Sequence, residues 1–174
     1  MILGMSVGAF TLLHVVITLV AIGSGLIVVG GMLASNKLPG TTAIFLLTTA
    51  LTSVTGFLFP IHGFTPALGV GVVACVILVV AVFALYKERL EGVWRPIYVL
   101  TAIASLYLNV FVLVAQSFMK IAALNALAPT QAEPPFAITQ VVVLAIFIPL
   151  ALIAVVKFRP VTALPTVVPH PVTG

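Results

Sequence analysis

The first charged side chain in this sequence is Lys37, and the uncharged stretch before it is apolar enough to cross a lipid bilayer on its own. Similar uncharged runs follow, each closed by a charge, a proline or a turn signal. A hydrocarbon core about 30 Å thick needs a helix of about 20 apolar residues. By that measure five spans are expected, at 6–33, 42–59, 67–86, 97–119 and 136–156. The fold class is therefore an all-α integral membrane bundle of five transmembrane helices, filling residues 1–159. Only 6% of the 174 residues are charged, where an ordinary soluble chain carries roughly a quarter. A soluble enzyme, a disordered regulator or a nucleic-acid-binding domain has too much polar surface to make for that composition.

The seven basic residues give an orientation. With five spans the loops alternate sides, so Lys37, Lys87, Arg89, Arg95, Lys157 and Arg159 share one face and Lys120 alone lies on the other. Positive loops stay in the cytoplasm, which puts the N-terminus outside and the C-terminus inside, in a bacterial inner membrane. Tyr86, Trp94 and Tyr98 fall at the same cytoplasmic level, where amphipathic rings favour the headgroup region. Residues 1–5 carry no Lys or Arg, so the first run is expected to remain as a span rather than serve as a secretory signal. The external segment 121–135 begins with helix formers and ends in prolines, which suggests a short interfacial helix before an extended stretch. After Arg159, prolines 160, 165, 169 and 171 make the tail, residues 160–174, a disordered cytoplasmic extension by composition. The single cysteine, Cys75, lies in an apolar run and has no partner for a disulfide within the chain.

Helices in lipid associate through small residues and through polar side chains that bond across the bundle. Ala21 and Gly25, Gly30 and Ala34, and the group Gly69, Gly71 and Ala74 offer close-packing surfaces. Thr48, Thr49, Thr52, Ser53 and Thr55 crowd the second span, and Thr48, Thr52 and Thr55 share one face. Hydroxyls of this kind can also bond back to their own helix. In the fourth span Thr101, Ser105, Asn109 and Gln116 recur at helical spacing and Lys120 continues the line. Amides cannot satisfy themselves in hydrocarbon, so this face is expected to turn inward.

The ionisable residues argue mainly by absence. No Asp, Glu, Lys or Arg lies well inside a span, which disfavours a carboxylate-coupled transporter. The paired-carboxylate, Ser-His-Asp and Cys-His sets needed for hydrolysis lack members, and so an enzyme is disfavoured too. His14 remains, with Thr11 and Thr18 on its face of the first span. An intramembrane histidine is a candidate site by default.

Three readings of function follow. The first is a non-catalytic accessory or assembly subunit of a larger membrane complex, or a homo-oligomer. The second is a redox module in which His14 and His62 hold haem or copper, with thioethers such as Met5 and Met119 on the same side. The third is a channel or facilitator for a neutral or weakly polar solute, lined by Thr48, Thr52, Thr101, Ser105, Asn109 and Gln116. All three have the lipid bilayer as partner and none involves nucleic acid.

Overall fold

A computed structural model describes residues 1–59 and 66–160. Among these the chain is helical without strands: α1 (Val7–Leu33), α2 (Pro39–Phe57), α3 (Pro66–Val82), α4 (Trp94–Lys120), α5 (Ala122–Leu127) and α6 (Pro134–Lys157). Five of them are long and apolar enough to cross a membrane, with α3 running on to Lys87 through a wider π-helical turn, Phe83–Lys87. The short α5 lies within the connection where a helix is expected. The Pro-rich tail beyond residue 160 lies outside the described residues.

Proline sets where several helices start. Pro39 and Pro134 occupy the first turns of α2 and α6, where an amide would have no partner in any case. The second helix accordingly begins three residues before the expected Thr42, because the Leu38–Pro39 corner already suits a helix start. α1 is capped at Ser6, whose hydroxyl accepts the Ala9 amide at 3.2 Å. At its other end Ser35 takes a left-handed φ of 56°, and the Asn36 and Ser35 amides bond back to Gly31 and Met32. That is the double bond of a Schellman turn, built on serine where glycine is usual. Before α6, the Thr130 hydroxyl donates to Glu133 at 2.8 Å and the Thr130 amide adds longer contacts. Residual desolvation pushes the Glu133 carboxyl up, but these hydrogen bonds outweigh it and hold the group below its ordinary value.

α4 is the hub and touches every other helix. Its buried residues Tyr98, Val99, Ala102, Ile103 and Leu106 meet Val28 and Met32 of α1, Phe45 and Leu46 of α2 and Leu78 and Ala81 of α3 in one core. α6 buries only Gln140, Phe147 and Ala154, seven residues apart, the repeat of a left-handed helical seam. Gln140 Nε2 donates to the Phe111 carbonyl at 3.1 Å and so ties this seam to α4. The outer positions, such as Leu12, Ile27, Leu47, Val79, Val141 and Val156, are exposed and form the apolar belt that lipid would cover.

Close approach explains only some of the small residues. Ala21 is fully buried, and a Cβ added at Gly25 would lie 2.7 Å from Leu106 Cδ1. Gly30, in the other expected pair, has nothing within 4 Å and faces outward. The α1 contact therefore runs through Ala21, Gly25 and Gly31, which packs against Leu38.

Candidate functional site: a cavity between four helices

The polar face of α1 is built from hydroxyls that first satisfy themselves. Thr11 donates to the Val7 carbonyl at 2.8 Å and Thr18 to the His14 carbonyl at 2.8 Å. Such back-bonds let a hydroxyl sit in lipid without another partner. His14 has no such option, and it finds Thr55 of α2, with Nδ1 2.7 Å from Oγ1. The Thr55 hydroxyl also lies 2.7 Å from the Leu51 carbonyl. With its proton on that carbonyl, the Thr55 oxygen accepts from His14 Nδ1, and Nε2 of the neutral imidazole is then the acceptor. Phe59 meets the ring edge-on, centroids 5.4 Å apart and planes at 87°, and Phe10 packs on Phe59 in turn. The hydrogen bond and the aromatic pair together hold the ring in place.

On the facing side, Asn109 of α4 donates from Nδ2 to Thr49 Oγ1 at 3.1 Å, a bond between two side chains that are nearly fully buried. This contact joins α4 to α2 through amide and hydroxyl, as a bundle in lipid requires. Between His14 and Asn109 the helices part. A cavity of about 480 Å³ opens there, lined by α1, α2, α3 and α4. Its walls are mostly apolar, with Val15, Phe57, Leu108, Val112 and Leu113 prominent. Among the polar groups that line it are Thr11, His14, Thr18, Thr52, Asn109 and Gln116.

The cavity has one end in the bundle interior and one near its surface. Asn109 marks the deep end and Lys120 with Ile121 the shallow one, about 17 Å apart along α4 at 1.5 Å per residue. Beyond Asn109, toward the end that carries Lys37 and Arg95, Met32, Phe45, Tyr98, Ile103 and Leu106 are each 2% exposed or less. The space is therefore a blind pocket. Among the described residues, Lys120 and His14 are the ionisable groups in its lining, and no carboxylate joins them.

Not every polar residue of the expected interior comes to this place. Thr48 bonds back to Ile44 at 2.7 Å, and Thr101 to Ile97 at 2.7 Å, and neither lines the cavity. Ser105 is 1% exposed in the closed half, where its hydroxyl has no partner among the described residues. His62 lies outside the described residues, and the haem or copper reading depends on it. Among the described residues no three His, Cys or carboxylate side chains come together as a metal site would require.

Residue patterns alone place Thr49 and Thr55 among the crowded hydroxyls of the second span without giving either a partner, and they pass over Phe59. Thr42 and Thr49 share the buried face of α2 with Phe45 and Leu46, at the spacing of two helical turns. That periodicity is the signal that would separate Thr49 from its crowded neighbours. Nothing comparable marks Phe59, whose importance comes from its place over His14.

No protein-family model, curated protein or solved structure matches this chain.

Proposed function

We propose that this multi-pass membrane protein binds a small, largely apolar molecule in the cavity between α1, α2, α3 and α4, and does so without catalysing a reaction. The carrying observation is His14, whose imidazole is hydrogen-bonded to Thr55 through Nδ1 and lines a mostly apolar cavity of about 480 Å³. Cavities that take small ligands span about 300–1,000 Å³ and combine apolar walls with a few fixed polar groups. The matching ligand has an apolar body and one hydrogen-bond donor, such as an alcohol or phenol, to meet Nε2. Gln116 and Lys120 near the mouth suit an acceptor at its other end. Following the charge asymmetry, the mouth opens on the outer face of a bacterial inner membrane, and the protein serves there as a ligand-holding accessory subunit. The blind inner end favours holding a molecule over passing it through.

The test uses 1-naphthol and naphthalene, which share a ring system and differ in one hydroxyl. Fluorescence binding is measured on protein in phosphatidylcholine nanodiscs, with empty nanodiscs subtracted. Naphthol is expected to bind about fivefold to tenfold more tightly than naphthalene, the value of one net hydrogen bond. His14→Phe should erase that preference, and Gly56→Leu, which projects into the cavity, should weaken both ligands. Equal binding of the two probes to wild type, or unaltered binding in Gly56→Leu, sinks the proposal.

A further inference from the structure

The opposite end of the bundle holds a second cleft, of about 250 Å³, lined by Lys37, Arg89, Leu90, Arg95, Arg159 and Pro160. Its four cations come from separate stretches of the chain. Lys37 lies between α1 and α2, Arg89 between α3 and α4, Arg95 in the first turn of α4, and Arg159 after α6. Each is delivered by a distinct piece of backbone. The left-handed turn at Ser35 presents a hydroxyl that accepts the Arg159 amide at 2.9 Å, which docks the end of α6 beside Lys37. The π-helical turn after α3 leads into Arg89 and Leu90, both left-handed at φ 51° and 64°, and then Gly92 at 50°. Such angles are unfavourable for side chains with a Cβ and persist only where the surroundings impose them. Arg95 donates from Nη1 to the carbonyls of Val155 and Phe158, which anchors the guanidinium but leaves its charge uncompensated.

Among the described residues no carboxylate lines the cleft, although Glu88 and Glu91 belong to the same connection as Arg89. The side chains of Lys37 and Arg89 have no hydrogen-bond partner among the described residues. A topological bias toward positive loops accounts for how many cations lie at this end. It does not account for their convergence, since long basic side chains on separate loops would by default spread into water. Four like charges around one small space repel one another unless an anion sits among them.

We propose that this cleft binds a phosphate-bearing anion. Guanidinium groups offer paired N–H donors that match phosphate oxygens, and Lys37 adds a point charge. Two sources share that chemistry, the headgroup of an anionic phospholipid in the adjoining leaflet and a soluble phosphate compound.

The full chain in phosphatidylcholine nanodiscs distinguishes them by thermal melting and by native mass spectrometry of the released protein. In one arm a minority of phosphatidylglycerol is added to the lipid, and in the other inorganic phosphate is titrated into phosphatidylcholine alone. One arm is expected to raise the melting temperature of wild type and yield a bound adduct. The double variant Lys37→Gln, Arg89→Gln should weaken that response at least about tenfold, as the loss of two cations beside a phosphate predicts. Lys37→Arg with Arg89→Lys should keep it, which separates loss of charge from damage to the fold. A response to phosphatidylglycerol alone assigns a headgroup site, and a response to inorganic phosphate assigns a soluble ligand. If wild type responds to neither, or the Gln double variant responds as wild type does, the proposal is overturned.

Discussion

At Gly25 an added Cβ would lie 2.7 Å from Leu106 Cδ1 and 2.9 Å from Phe45 Cε2, whereas at Gly56 it would meet only His14 Cε1, at 3.7 Å. One methyl group thus finds a filled space in one half of the bundle and an open one in the other. In the filled half, α1, α2 and α4 approach closely, and Leu106, Phe45, Met32 and Tyr98 interlock. In the open half the same helices are joined by His14 to Thr55 and Asn109 to Thr49, with a cavity between the two bonds. A bundle in lipid gains little from the hydrophobic effect between its helices, so cohesion must come from packing and from interhelical polar contacts. Here packing dominates the half near the basic loops and polar contacts the half near Lys120. Cohesion by discrete bonds leaves room between them, which close packing does not.

That contrast can be broken by substitution. Leu106→Ala should be the most damaging change, at about 2–5 kcal/mol by unfolding in mixed micelles, because it removes a fully buried side chain from the filled half. A loss below about half a kcal/mol would mean that the half is not tightly packed. Gly25→Ala should cost about 1–3 kcal/mol by overpacking against Leu106 and Phe45. Asn109→Leu removes the bond to Thr49 and should cost about 0.6–2 kcal/mol, with a double cycle through Thr49→Val recovering most of that as coupling. Gly56→Ala should stay within about half a kcal/mol of wild type, since its methyl enters open space. If Gly56→Ala and Gly25→Ala cost the same, the two halves do not differ as described.

The smallest expected effect is one of pH. The Glu133 carboxyl is held below its ordinary value by hydrogen bonds, so its contribution is present at neutral pH and is lost as pH falls through the lowered value. Protection of the Thr130 and Ala132 amides, taken as exchange relative to the intrinsic rate at the same pH, should therefore fall in acid, and Glu133→Gln should remove the dependence while the cavity half keeps its protection. Protection that does not change with pH at either amide would show that the cap is not what orders this connection.

The five spans were legible because a bilayer imposes a length and forbids charge, two demands a chain can meet only in its primary structure. The helix within segment 121–135 and the inward turn of Asn109 followed from the same rules, whereas Pro134, expected in an extended stretch, starts α6. The roles of individual hydroxyls were not legible. Thr48, Thr49 and Thr52 are chemically alike and adjacent, yet Thr48 bonds to its own helix, Thr49 takes the Asn109 amide and Thr52 lines the cavity. The difference is the angle at which each leaves α2 relative to α1 and α4, which a list of residues does not contain. Gly25 and Gly30 divide for the same reason.

By itself, then, the sequence determined five helices long and apolar enough to cross a membrane, because hydropathy and charge are properties of each residue and act through the solvent. Only the tertiary structure decided that His14 meets Thr55, that an apolar cavity opens beside them, and that Lys37, Arg89, Arg95 and Arg159 share one cleft. Those are relations between residues distant in the chain, set by how helices cross and how turns curl, and they come into being only when the bundle closes.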